Sequence, residues 1–252
     1  MTDIQDFKDR TALVTGAASG IGAGCARALC ARGAGKLILV DVDEAGLAAL
    51  DLDCEVERIT GSVADRDLWA RLESNWGTID HAIVNAGIGS GGTIADLNFD
   101  EWRRVMDINL DGAFLTLSAA LRAMPEQGGS IVVVSSTTGV KPVPGVGPYG
   151  ISKAAVAHMA RIAAVENAAK NIRVNAIAPG GVDTQIWNGS PEFVAAEEKY
   201  GRETAIKGLT ATTPSGRFAS SDEMADSILY LLSDAAANIT GTVLVNDGGF
   251  TL

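Results

Sequence analysis

The sequence predicts a doubly wound α/β fold, a parallel β-sheet of about seven strands with helices on both faces. Three observations carry that prediction. Short runs of strand length alternate with helix-length segments along the whole chain. Most strand candidates are continuously apolar rather than alternating, as strands buried on both faces are. A glycine cluster joins the first strand to the first helix.

The elements follow in order. TALVTG (11–16) is the first strand, and a helix follows over 21–31. KLILVD (36–41) is the second strand and ends on an acid. Residues 43–52 make at most a short helix, EVERIT (55–60) is a third strand, and 65–76 is an amphipathic helix. HAIVNAG (81–87) is a fourth strand. Residues 100–124 read as one long helix stopped by Pro125. SIVVVSS (130–136) is dense in β-branched residues and reads as a strand. An Ala-rich helix carrying Tyr149 and Lys153 comes next, then IRVNAIAP (172–179), a helix over 221–232 and a closing strand, TVLVNDG (242–248). No linker or repeat divides the chain, so one domain over 1–252 is expected. Residues 183–217 break the rhythm, being polar and rich in glycine, with Trp187 and Phe193 as large apolar exceptions. Such an insertion predicts a lid over a substrate site.

Composition narrows the function. A formal net charge of −11 opposes nucleic acid, whose phosphates it would repel. The opening MTDIQDFKDR lacks the apolar core of a signal peptide, and no run of about 18 apolar residues predicts a membrane span. Cys25, Cys30 and Cys54 are odd in number without a C-x-x-C pair, which fits reduced thiols. His81 and His158 stand apart from other metal ligands and read as structural. A cytosolic, metal-free protein is expected.

The glycine cluster, TGAASGIG (15–22), has the spacing G-x-x-x-G-x-G. Gly16 permits the tight turn, Gly20 lets backbone approach a phosphate, and Gly22 allows helix and strand to pack closely. The helix that follows directs its free N–H groups and positive dipole end at the anion. Asp41 ends the second strand nineteen residues beyond Gly22, where a carboxylate can accept both ribose hydroxyls of an adenosine. It would repel a 2′-phosphate at 4 Å by about 1 kcal/mol per unit charge in water and about 4 kcal/mol at an effective dielectric of 20. No Arg or Lys lies in 17–19 or 42–44 to rescue that phosphate. NAD is expected over NADP.

Tyr149 and Lys153 lie four residues apart, on one helix face. T-G-x-x-x-G-I-G, N-A-G at Asn85, Ala86 and Gly87, Asn109, Ser136, Y-x-x-x-K and P-G at Pro179 and Gly180 occur in that order. With these motifs the sequence resembles the short-chain dehydrogenase/reductase family over essentially its whole length. The resemblance implies a Rossmann-type fold and a dehydrogenase of secondary alcohols. Tyr149 would be the general acid/base and Lys153 would hold the nicotinamide ribose and lower the phenol's pKa. Ser136 would hydrogen-bond the substrate oxygen, and Asn109 would anchor a water in a proton relay. The cofactor would touch Gly16, Ser19, Gly20, Ile21, Gly22, Asp41, Val42, Ser62, Val63 and the Asn85, Ala86, Gly87 edge. Pro179, Gly180, Val182 and Thr184 would hold the carboxamide. The family also implies a homodimer or homotetramer, with small residues such as Ala119, Ala120, Ala154, Ala155, Ala163 and Ala164 at its contacts; ordinary core packing is the plainer account of them. Three departures stand out: Ser62 where many relatives carry Asp, Val84 in place of the first Asn of N-N-A-G, and one extra residue between Gly33 and Asp41.

The physics of the pair agrees. Moving a tyrosine from about 10 to about 7 takes roughly 4 kcal/mol. An ammonium at about 5 Å supplies roughly 3 kcal/mol at a dielectric of 20, and an oxidised nicotinamide adds more. Ser135 competes with Ser136 for the substrate oxygen, but strand alternation points the two hydroxyls oppositely, and family spacing favours Ser136. Val140, Val143, Trp187 and Phe193 are expected to border an apolar substrate pocket. An NADPH-linked 3-oxoacyl reductase and a non-catalytic NAD-binding regulator are the competing readings. Asp41 opposes the first, and retention of both Tyr149 and Lys153 opposes the second.

Overall fold

The computed structural model describes residues 5–252, so the first four residues of the segment read as no signal peptide lie outside it. Seven parallel strands form one sheet in the order β3-β2-β1-β4-β5-β6-β7. They are β1 (Thr11–Thr15), β2 (Lys36–Asp41), β3 (Glu55–Thr60), β4 (His81–Val84), β5 (Gly129–Val134), β6 (Ile172–Pro179) and β7 (Val243–Asn246). The order reverses between β1 and β4. In a doubly wound sheet the crevice beyond the carboxyl ends of those two strands is where ligands bind.

Side-chain alternation sorts the core onto the two faces. Leu37 and Leu39 of β2 join Val14, Leu29, Met224 and Ile228 on one side. Ile38 and Val40 of the same strand join Leu13, Trp69, Ile131 and Val133 on the other. The first face is covered by α1 (Gly20–Ala31) and α9 (Ser221–Leu232), which pack closely enough that a Cβ on Gly24 would lie 2.9 Å from the Ser221 carbonyl oxygen. The second is covered by α3 (Arg66–Glu73), α5 (Gly112–Ala123) and α6 (Gly147–Asn167). The small residues divide between roles: Ala119, Ala120, Ala163 and Ala164 are buried in this core, whereas Ala154 is exposed.

Three expected boundaries shift, each for a local reason. β4 stops at Val84, because Asn85 leaves the ladder to bond the end of β1. β5 stops at Val134, since Ser135 and Ser136 turn into a short 3₁₀ segment, Thr137–Gly139. The long helix expected over 100–124 is two helices, α4 (Phe99–Met106) and α5, joined by a π-helical turn, Asp107–Asp111, that contains Asn109. The segment after β6 is largely helical: a 3₁₀ turn at Gln185–Gly189, then α7 (Pro191–Tyr200) and α8 (Arg202–Thr210). A short helix, α2 (Glu44–Ala48), follows β2. Among the described residues no helix is long and apolar enough to cross a membrane, and no group of three His, Cys, Asp or Glu side chains could hold a metal ion.

Candidate active site

The glycine turn is built as its spacing predicts. Gly16 (φ +66°) and Gly20 (φ +52°) both adopt left-handed backbone, which a side chain would strain. At Gly22 the constraint is contact: a Cβ there would lie 2.0 Å from the Gly16 carbonyl oxygen. Ser19 is the N-cap of α1, yet its side chain makes no capping hydrogen bond, and no acid occupies the first turn. The N–H groups of Gly20, Ile21 and Gly22, with the positive end of the dipole behind them, form an anion site. These residues fit a pyrophosphate. Thr184 faces the turn from the lid, its Cγ2 3.0 Å from where a Gly20 Cβ would stand. A groove of about 460 Å³ opens here, bordered by Ser19, Gly20, Ala49, Thr184, Gln185 and Arg202.

Asp41 stands where the second strand meets this turn. Its Oδ2 accepts a hydrogen bond from Ala18 N at 2.9 Å, and its Oδ1 accepts one from Asp43 N at 3.0 Å. A carboxylate has about four acceptor directions, so each oxygen keeps one for a ribose hydroxyl. Val42 beside it is exposed. Ser62 follows the end of β3; its hydroxyl accepts a bond from Ala64 N at 3.3 Å and keeps its own proton to donate. Val63 is buried against Gly112, and its carbonyl receives the Trp69 indole N–H at 2.7 Å.

Asn85 ties the two central strands together. Its amide donates to the carbonyls of Thr15 at 2.9 Å and Gly16 at 3.2 Å, while the N–H groups of Asn85 and Ala86 both reach the Thr15 hydroxyl. Gly87 leaves little room for a side chain, because a Cβ would press between Lys153 Nζ at 3.2 Å and Asn109 Oδ1 at 3.3 Å. The π-helical turn carries Asn109 into this spot. There it accepts from Ile88 N at 2.8 Å and donates to Ile88 O at 3.0 Å. At the opposite edge, Gly180 ends β6 with its N–H on Asn246 O at 2.9 Å, and Val182 is buried beside Ala219.

Ser136, Tyr149 and Lys153 converge. The two serines are distinguished by their bonds: Ser135 donates to the Lys153 carbonyl at 2.7 Å, deep under α6, while Ser136 caps the 3₁₀ turn, accepting from Thr138 N at 3.2 Å, on the side of the Tyr149 phenol. Pro148 in the first turn of α6 suits the helix start that presents Tyr149. The Lys153 ammonium donates to Val134 O at 2.9 Å and sits 5.7 Å from the centroid of the Tyr149 ring. Burial raises the phenol's pKa above its ordinary value, and the neighbouring Ser136 lowers it only in part. Lys153 is itself pushed down to about 8 by burial. Desolvation penalises phenolate and ammonium alike, so in the cofactor-free protein burial works against the acidification of Tyr149.

Of the expected pocket residues, Val140 and Val143 lie on the loop after Ser136, Val140 half exposed. Trp187 donates its indole N–H to Val182 O at 2.8 Å and stacks on Phe218 at 5.2 Å. Phe193 is buried beside it at 5.9 Å, with the Arg202 guanidinium 5.3 Å over its face. The two rings thus pack on each other and on Val182, Phe218 and Arg202. Arg202 fastens that cluster to the cleft edge through Asp183 at 2.6 Å, Thr184 O at 2.9 Å and Glu197 at 3.1 Å. Sequence reading passed over three features: Arg202, the approach of lid residue Ile186 to Gly89 across the cleft, and the bond from Lys141 to the Phe250 carbonyl. None carries a motif, because each contact joins segments far apart in the chain.

An anion-ready glycine turn beside a buried serine and lysine and a half-buried tyrosine defines the doubly wound oxidoreductase class. The family model described as enoyl-(acyl carrier protein) reductase matches residues 16–251. Cis-4-hydroxycyclohexanecarboxylate dehydrogenase of Sinomonas cyclohexanicum is 39% identical, over 97% of this chain and 98% of its own. The 2,5-dichloro-2,5-cyclohexadiene-1,4-diol dehydrogenase of Sphingobium indicum is 36% identical over 98% and 99%. The crystal structure of levodione reductase superposes with a TM-score of 0.87 at 34% identity, covering 96% of this chain and 98% of that one. The chain belongs to the short-chain dehydrogenase/reductase family, whose members use nicotinamide cofactors to oxidise alcohols or reduce ketones.

Proposed function

We propose that the protein is an NAD-dependent dehydrogenase of secondary alcohols carried on six-membered carbocycles. The observation that carries the reaction type is the convergence of Ser136, the Tyr149 phenol and the buried Lys153, whose ammonium lies 5.7 Å from the centroid of the Tyr149 ring. Two groups then meet one substrate oxygen: Ser136 orients it and Tyr149 takes its proton. When bound, the nicotinamide supplies the hydride acceptor and, oxidised, a positive charge beside the phenol. That charge opposes the desolvation of the phenolate. Lys153 holds the ribose from below, and Asn109 fixes the Ile88 backbone at the wall and anchors the water of a proton relay. The glycine turn holds the pyrophosphate, and Pro179, Gly180, Val182 and Thr184 hold the carboxamide.

Asp41 supports NAD. Its open acceptor directions suit a 2′-hydroxyl and oppose a 2′-phosphate. A six-membered ring appears in the printed names of two of the relatives above, and Val140, Val143 and Ile186 give the cleft apolar edges. Residues 183–217 act as the lid of this single domain. A stripe of exposed apolar residues on α6, Ile151, Ile162 and Val165, supports a homodimer or homotetramer.

The test is reduction of NAD or NADP, followed at 340 nm, over a panel of cyclohexanols, linear secondary alcohols and sugars. Cyclohexanols turned over with NAD are the expected result; activity confined to sugars or to NADP sinks the reading. Asp41→Ala should narrow the preference for NAD over NADP by about fivefold or more, since one charge at 4 Å is worth at least about 1 kcal/mol. An unchanged ratio of kcat/KM values removes Asp41 as the discriminator.

A further inference from the structure

Lys141 has no part in the chemistry above, yet it stands at the site. Its backbone N–H closes the turn that Ser136 caps, donating to Thr137 O at 2.8 Å. That turn is seated directly on the catalytic helix, for a Cβ on Gly139 would lie 2.6 Å from Ala154 N and 2.7 Å from the Lys153 carbonyl carbon. The Lys141 side chain crosses to the last segment of the chain, where its ammonium donates to Phe250 O at 2.8 Å and lies 4.9 Å from the Phe250 ring centroid. The same segment packs against Gly180, whose Cβ would meet Asp247 Cα at 2.7 Å. The ammonium therefore bridges the turn that Ser136 caps and the last segment of the chain, which packs against Gly180.

Its partners are incomplete. An ammonium has three donors, and Lys141 has one carbonyl and one ring face; among the described residues no carboxylate pairs with it. Asp247, the acid of the neighbouring segment, is engaged by Gly249 N, Thr251 N and the Thr251 hydroxyl. In a chain with 31 acids to 20 bases, this half-buried cation, five residues after Ser136, is paired with no acid among the described residues.

We propose that Lys141 selects substrates bearing a carboxylate, binding that anion at the end of the molecule remote from the carbinol. The proposal rests on the ring-alcohol reading and names the second functional group of the substrate. A charge-assisted hydrogen bond to a partly desolvated ammonium corresponds to a preference of roughly tenfold to a hundredfold.

The test separates this from the reaction itself. Binding of cyclohexanecarboxylate and of cyclohexanecarboxamide to the NADH-saturated protein is measured by calorimetry at pH 7.5. The carboxylate should bind at least about tenfold tighter. That ratio should fall toward one in Lys141→Gln, which keeps a donor for Phe250 O without the charge, and should largely survive in Lys141→Arg. Equal binding of the two ligands by the native protein overturns the proposal, as does binding of neither, or a preference that persists in Lys141→Gln. Turnover of 4-hydroxycyclohexanecarboxylate against cyclohexanol is the second arm. Oxidation of both at equal kcat/KM removes the role of Lys141 and leaves the ring-alcohol reading intact. A carboxylate preference in binding without turnover of any ring alcohol does the reverse.

Discussion

Tyr149→Phe should lower kcat by about three orders of magnitude or more while NAD still binds within a few-fold of the native affinity. A positioned acid/base contributes about 10²- to 10⁴-fold, and this substitution deletes only the oxygen that performs the transfer. The ring stays over Lys153, and the glycine turn and Asp41 are untouched, so the cofactor's anchoring is preserved. Single-turnover kinetics with the best cyclohexanol and fluorescence titration with NADH give the two readouts. A variant retaining a tenth of native activity would remove Tyr149 from the proton transfer. One losing activity and cofactor together would mean that the phenol supports the fold of the site.

The second large effect is expected from Lys153→Met, and it runs in opposite directions for activity and stability. Turnover and NAD affinity should both collapse, because the ribose loses its ammonium. The unliganded protein should nonetheless melt several degrees higher at pH 7. Lys153 falls from 10.5 to about 8 on folding through burial alone, and 2.5 units at 1.36 kcal/mol each sets a ceiling of about 3 kcal/mol on the cost of holding it charged. Loss of the bond to Val134 O returns about 1 kcal/mol of that. The sign with pH follows. Between 8 and 10.5 the unfolded chain binds more protons at this position than the folded one, so native stability rises across that window as the buried charge is released. The methionine variant lacks this rise. Differential scanning calorimetry from pH 7 to pH 10 checks both statements, and a variant that melts lower at pH 7 with an unchanged pH slope would contradict them.

Much of this was legible in the sequence because it is local. Strand and helix order follows from periodicity, and the glycine turn and the Tyr149–Lys153 spacing are short-range patterns. The preference for Ser136 rests on family spacing, since alternation says only that the two hydroxyls point oppositely; in the structure Ser135 is held by the Lys153 carbonyl. What escaped is non-local. The break at Asn109 cannot be read from 100–124, because a helix-forming sequence accommodates one extra residue per turn without any change of composition. Trp187 and Phe193 looked like pocket walls, being apolar in a polar insertion. Their partners, Phe218 and Arg202, come from beyond the turn and from the next helix, and hydropathy does not reveal such pairings. The pKa of Tyr149 escaped for a similar reason: charge spacing is visible in a helix, while the depth of burial around it is set by the whole fold.

The carboxylate of Asp41 has a consequence for how this protein can change over evolutionary time. It braces Ala18 and Asp43 while offering its remaining lone pairs outward. On the NAD reading, a substitution such as Asp41→Ala that removes the charge facing a phosphorylated ribose also releases both braces, so a change to NADP calls for a compensating anchor for the glycine loop. Cofactor choice is in this way an epistatic trait, held in place by the loop it supports.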